Sequence, residues 1–362
     1  MAAIVNGVHP SATRPLTPGV FAPIPSFFLP ESEDLDIPTF QSHVVRIASA
    51  GMGLVITGSM GEAIHLSHAE RVALIRAART ALDEAGLTTV PMIVGTGAAR
   101  SVLLLMLLLS AHTGRSTRET NELTKEAAAA GADYAIVIAS GYFAGAWGHN
   151  HAALKAYFTE VAEKSPIPVM IYNYPGASGG IDLDSDVIVE LARECPNICG
   201  VKLTCGNVGK LTRIASAVSG ASDFSSKFPR KTSTAPFLVL GGFIDFLTPS
   251  AFASGHGAIT GLGNVAPHAI RKLFELSEQA TTDLSVLPEA LRLQGIIARA
   301  DYTIAKASIA GTKFLLQKLH GYGGTTRKPL PPFPAAAGQA LWEHPDTVAV
   351  VALEREFSGK TQ

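Results

Sequence analysis

The chain has 362 residues, a formal net charge of −1, 47% hydrophobic and 16% charged residues. That length supports one large core or two ordinary ones. Near-neutral charge leaves no electrostatic footprint for nucleic acid or an anionic membrane surface, and no segment approaches the ~20 apolar residues of a membrane span.

Residues 1–17 are expected to be a flexible segment, with one arginine, Arg14, no acid and a few hydroxyls. They lack the cationic amphipathic stripe of a transit peptide, so the expected compartment is cytoplasmic, with mitochondrial as the alternative. From residue 18 to residue 280 short apolar runs alternate with longer amphipathic ones. The apolar runs fall at 20–24, 53–57, 90–94, 134–139, 169–172, 198–203, 237–240 and 258–260. Helical patterns include 67–85, 116–130, 152–164, 184–194 and 264–278. Eight strands alternating with helices predict an α/β fold, a (β/α)8 barrel rather than a doubly wound sheet. Residues 281–362 read as a C-terminal helical extension: helices over 287–319, a proline-rich run at 327–334 and a last helix at 346–357.

One segment breaks the alternation. The third strand could feed the capping box Ser116-Thr-Arg-Glu119 directly. Instead residues 100–115 intervene, with an uninterrupted apolar octet at 102–109 that has no polar face. The octet agrees with neither flank and is read as a translated intron or gene-model error. A buried oligomer contact is the alternative.

The active site of such a barrel lies at the C-terminal ends of its strands. Standing there are Ser59 and Glu62, Gly95-Thr96-Gly97, Tyr142, Tyr172 with Asn173, Lys202 with Thr204, Gly241 with Gly242, and Gly261. Lys202 interrupts the apolar run of the sixth strand, and lysine is rarely buried without a use for its charge. An amine attacks a ketone only when neutral, and a free lysine is neutral in about one molecule in 2,500 at pH 7. Burial disfavours the ammonium and makes such a lysine a candidate for Schiff-base catalysis. On pattern alone a structural lysine fits as well; the nearest acids in sequence, Glu194 and Asp223, are not on this strand.

Other patterns have blander readings. Gly95-Thr-Gly97 lacks the third glycine of a dinucleotide fingerprint and reads as a tight turn. His149-Asn-His151 opens a helix with no third ligand, and Cys195, Cys199 and Cys205 read as small apolar side chains around a strand in a reducing compartment. His65 and His68 fall around a helix start, and Glu62 is expected to accept backbone N–H bonds rather than act as a base.

Four motifs, GSMGE (58–62), YNYPG (172–176), GVKLT (200–204) and GHGAITGLGNVAP (255–267), resemble the dihydrodipicolinate synthase and N-acetylneuraminate lyase family over residues 18–331. The resemblance implies a homotetrameric class I aldolase that binds a small 2-oxo acid as a lysine imine and needs no metal or cofactor. It implies Lys202 as the imine-forming residue, Tyr172 as the proton shuttle and Ser59 as proton relay and carboxylate holder. Tyr142 would complete the relay from a neighbouring subunit, and Ile259 would lend its carbonyl near the lysine. Substrate contacts are expected from Ser59, Met60, Ser178, Thr204, Gly242 and Ile259.

Two departures bear on substrate. Met60 stands where the family has a second polar residue, so carboxylate binding leans on Ser59 and backbone N–H groups. Ala177 lies in the turn where the synthases carry an arginine for the aldehyde's carboxylate. The turn is closer to the branch cleaving 4-hydroxy-2-oxoglutarate or 2-keto-3-deoxy sugar acids, with Ser178 offering a hydroxyl to the aldehyde fragment. Two alternatives stand: dihydrodipicolinate synthesis, or an inactive barrel disrupted by residues 100–115.

Overall fold

A strand covered on both faces has no reason to alternate polar and apolar residues. The sequence ICGVKL, with all six residues buried, is such a strand. The computed structural model describes residues 14–97, 116–219 and 223–359. Within it β1 (Gly19–Pro23), β2 (Gly53–Ile56), β3 (Met92–Gly95) and β4 (Tyr134–Ile138) run parallel, followed by β5 (Val169–Asn173), β6 (Ile198–Leu203), β7 (Leu238–Gly241) and β8 (Gly257–Ile259). They pair in sequence order and close into a barrel, Val20 of β1 lying opposite Ala258 of β8. Phe21, Val55, Ile136, Met170 and Leu240 fill its interior. Leu54, Val137, Ile171 and Leu203 face the surrounding helices.

The helices of the outer ring are α1 (Ile37–Ser49), α2 (His68–Glu84), α3 (Thr117–Ala130), the single turn α4 (Ala144–Trp147) and α5 (His151–Lys164). They continue with α6 (Ser185–Glu194), α7 (Val208–Val218), the single turn α8 (Phe224–Lys227), α9 (Leu247–Phe252) and α10 (Pro267–Ala280). Local chemistry starts most of the long ones. Asp36, Ser67, Asn150, Asp184 and Asn207 each accept a backbone N–H in the first turn, the usual N-cap bond. Ser67 and Glu70 form a complete capping box. At 116–119, where the sequence predicts another, only half is made. Ser116 accepts from the Glu119 N–H, but the Glu119 carboxylate turns to His68 Nε2, 3.3 Å away on α2.

The extension consists of α11 (Leu287–Lys306), α12 (Ser308–His320), α13 (Ala335–Glu343) and α14 (Pro345–Ser358). The helical pattern at 287–319 breaks at Ser308, whose φ of 55° is outside the helical region and turns the chain between α11 and α12. The pattern at 264–278 begins later, at Pro267, because the residue before a proline is held out of the helical region, Ala266 having φ −132° and ψ 60°, and proline fits the first helical position. α10 has no cap of its own. Glu354 of α14 supplies it, accepting from His268 N at 2.9 Å and Ala269 N at 3.0 Å. The anomalous 100–115 segment lies outside the described residues.

Candidate active site

The C-terminal ends of the strands surround a cavity of about 360 Å³. Ser59, Met60, Tyr172, Lys202, Thr204, Gly242 and Ile259 all line it. Register explains the convergence: Lys202 on β6 is level with Tyr172 on β5 and Leu240 on β7, so lysine and tyrosine leave the barrel wall at one height.

Lys202 is 6% exposed, and its Nζ lies 4.3 Å from the centroid of the Tyr172 ring. Among the described residues two other lysines are buried, and both are satisfied. Lys210 bonds Asp182 and the Leu183 carbonyl; Lys313 bonds Glu62 at 2.6 Å and the Thr325 carbonyl at 2.7 Å. Among the described residues no carboxylate comes within ion-pair distance of Lys202. A buried amine without an acid, against an aromatic face in a cavity, is poorly explained by structure alone. Its neighbours point the same way. Thr204 Oγ1 is buried with no hydrogen-bond partner among the described residues, and an orphan hydroxyl in a cavity wall is costly unless a ligand meets it. Gly242 packs so closely on Thr204 that a Cβ would collide with that hydroxyl. Tyr172 stacks on Tyr174, ring centroids 5.7 Å apart.

Two expected residues lie elsewhere. Ser178 is not in the cavity wall: its hydroxyl donates inward to the carbonyls of Tyr174 (2.8 Å) and Ile181 (3.1 Å). In the short turn Pro175–Ala177 the Tyr174 carbonyl accepts both the Ala177 N–H at 3.0 Å and the Ser178 hydroxyl, and Ala177 lines the cavity instead. Tyr142 is 67% exposed beyond β4, edge-on to the equally exposed Phe143 at 4.8 Å, outside the cavity of this chain. Asn173 braces the same turn, accepting from Leu183 N and donating to Asp182.

Asp301 is the residue the motifs do not reveal. It lies on the buried face of α11, lines the cavity and accepts from Ile244 N at 3.0 Å. Burial pushes its carboxyl up to about 7. The signal was present in the sequence as one acid on the apolar stripe Leu293, Ile297, Asp301, Ile304. Arg71 of α2 also reaches the cavity, donating to the carbonyls of Ala63 and Gly95. Glu62 accepts the backbone N–H of Arg327, as the sequence suggests for this residue, but also the Lys313 ammonium.

The remaining patterns resolve structurally. Asn150 caps α5 and His151 pairs with Asp184 at 3.1 Å on the surface. Cys199 is buried in β6, where burial pushes its thiol up to about 12. A Cβ on Gly95 would collide with the Thr57 carbonyl, which makes 95–97 a close-packed turn. Among the described residues no group of three or more His, Cys, Asp or Glu side chains is placed to hold a metal ion.

A closed eight-stranded parallel barrel with an acid-free lysine at the strand ends defines a (β/α)8-barrel protein with its chemistry at the C-terminal mouth. The sequence model of the Dihydrodipicolinate synthetase family matches residues 107–341, and the chain belongs to that family. It is 41% identical over 338 residues to the L-threo-3-deoxy-hexylosonate aldolase of Aspergillus niger, covering 91% of this chain and 94% of that one. It is 42% identical over 319 residues to the Emericella nidulans protein named "Probable 4-hydroxy-2-oxoglutarate aldolase, mitochondrial", covering 88% and 90%. Crystal structures of a dihydrodipicolinate synthase family protein from Coccidioides immitis superpose with a TM-score of 0.74 at 31% identity, covering 95% of this chain and 99% of that one.

Proposed function

We propose that this chain is a carbon–carbon lyase, a class I aldolase that cleaves a 4-hydroxy-2-oxo acid to pyruvate or a related 2-oxo acid and an aldehyde. The observation that carries the reading is Lys202, a buried amine with no carboxylate partner among the described residues, lying against Tyr172 in the cavity. Aldolase-named relatives in the same family support it.

In the proposed cycle Lys202 Nζ adds to the C2 carbonyl and water leaves, giving a protonated imine. That imine is the electron sink. Tyr172 gives its phenolic proton to that departing water, and the phenolate then takes the proton from the C4 hydroxyl; the C3–C4 bond breaks and its electron pair moves into an enamine as the aldehyde departs. The enamine carbon takes a proton back, and water releases the 2-oxo acid and the lysine. Ser59 holds the carboxylate together with backbone N–H groups, because Met60 beside it offers no hydrogen bond. The Thr204 hydroxyl, Gly242 and Ile259 complete the wall.

The substrate class follows from Ala177. A methyl group facing the cavity cannot bind an aldehyde's carboxylate as an arginine would. A panel assay of pyruvate release should therefore show cleavage of 4-hydroxy-2-oxoglutarate or a 2-keto-3-deoxy sugar acid. Pyruvate and aspartate semialdehyde should condense little; efficient condensation would restore the synthase reading. Borohydride with pyruvate should leave a stable adduct on Lys202, and no adduct would mean an inactive barrel.

We further propose a homotetramer in which Tyr142 reaches a neighbouring subunit's site. The exposed Tyr142–Phe143 pair supports this contact, and sedimentation tests it. The proposed compartment is the cytoplasm. Because two relatives are named mitochondrial, localisation of the chain with and without residues 1–17 is the deciding measurement.

A further inference from the structure

The Glu62 and Lys313 side chains are both 0% exposed and meet at 2.6 Å. Glu62 ends the GSMGE loop with a φ of 52°, in the left-handed region that a glutamate rarely adopts. Such a conformation persists only where its surroundings impose it. Here they do. One carboxylate oxygen accepts from Lys313 Nζ, the other from Arg327 N at 2.9 Å, and Ser26 Oγ donates to the Gly61 carbonyl at 2.6 Å. Lys313 is held in turn by the Thr325 carbonyl and lies 4.6 Å from the Phe28 ring centroid. The Arg327 guanidinium bonds the His65 carbonyl and Glu70, tying the same stretch of chain to both ends of the 62–70 segment.

Stability does not account for this arrangement by itself. Stripping water from both ions costs about as much as their attraction returns, so an apolar pair of similar volume would hold the core as well. What an apolar pair lacks is direction, since a short charge-assisted hydrogen bond fixes where its two ends lie. The fixed ends matter here. Ser59 and Met60, three and two residues before Glu62, line the cavity, and so does Thr312, next to Lys313. We propose that Lys313 is a positioning residue of the active site: through Glu62 it sets the 58–62 loop that presents Ser59 and Met60 to the cavity, making α12 part of the site. This rests on the reading of Ser59 as the residue that holds the substrate carboxylate.

The test uses the full chain with Lys313→Met, Glu62→Gln and the double variant, each read by melting temperature, KM, kcat and the pyruvate concentration that half-saturates borohydride trapping on Lys202. Lys313→Met leaves a buried carboxylate without its ammonium partner and should melt lower. The uncharged double variant should regain most of that melting temperature. Its KM and half-saturation for the 2-oxo acid should stay raised by about 10- to 100-fold, the scale expected from an ångström of misplacement, with kcat moved less. A double variant with wild-type half-saturation overturns the proposal, because the pair then supplied stability alone. A folded Lys313→Met with unmoved half-saturation overturns it too, and a double variant that cannot fold counts against it. If the wild type traps no pyruvate on Lys202, the aldolase reading fails instead. Half-saturation of the thermal shift by pyruvate, which needs no imine, then still tests Lys313.

Discussion

Among the described residues three lysines are buried, and what their amines touch separates their roles. Lys210 and Lys313 end on carboxylates, whereas Lys202 ends on an aromatic face in a cavity. Lys202→Ala and Lys202→Arg should both lack pyruvate release with unchanged circular dichroism: one has no amine, and the other carries a guanidinium that stays protonated at neutral pH. Substantial turnover in either would rule out the imine. Tyr172→Phe should lose 10²- to 10⁴-fold, roughly the worth of a positioned proton-transfer group, while still forming the adduct slowly. Asp301 makes a separate prediction, about stability. Its carboxyl titrates at about 7 in the fold but at ~3.9 in the unfolded chain. Between those values the unfolded chain sheds a proton that the fold retains, so stability falls as pH rises, by on the order of 4 kcal/mol in all. The amide introduced by Asp301→Asn has no such proton to lose. Urea melts should therefore show this variant gaining on the wild type by a few kcal/mol between pH 5 and pH 8; parallel pH dependences would refute the assignment.

Elements matter where a residue's direction depends on the turn that carries it. The end of β5 and the turn after it illustrate this, because their sequence offers an amide and a hydroxyl, Asn173 and Ser178, beside the mouth. The fold turns both inward to close the chain between β5 and α6. Ser178→Ala should therefore cost about 1–2 kcal/mol in urea melts, since the Ile181 carbonyl loses the hydroxyl that donates to it while the Tyr174 carbonyl keeps the Ala177 N–H. KM for the 4-hydroxy-2-oxo acid should stay close to wild type, and a large rise would return Ser178 to substrate contact. Lys202 and Tyr172, by contrast, sit on strands, where a period of two and parallel register determine which side chains share a face and a height. Register placed Lys202 and Tyr172 from sequence, whereas the direction of Ser178 depended on the turn that carries it.

At the scale of the whole molecule, the connection from β3 to α3 stands out. Residues 96–116 separate these elements, whereas residues 204–207 suffice between β6 and α7, and ordinary βα loops run ~2–6 residues. Deleting 100–115 should yield a chain at least as soluble and at least as active per site, measured by pyruvate release and sedimentation at equal concentration. A lower rate or a dissociated oligomer would make the segment functional structure.

Strand order, the barrel and the lysine, tyrosine and serine at its mouth were legible because each follows from local pattern: apolar runs, helical periodicity, and residue types at strand ends. α11 and α12 were legible only as helices, without their place over the mouth. Nothing local says that Asp301 meets Ile244, 57 residues away, or that Lys313 meets Glu62, 251 away. The sequence by itself determined the elements, their alternation and the chemistry carried by the strand ends, since hydrophobic period and strand register act over a few residues. Only the tertiary structure decided which buried charges have partners, which hydroxyls turn inward and which helices wall the cavity. Burial, and hydrogen bonding across it, depends on what the rest of the chain brings alongside.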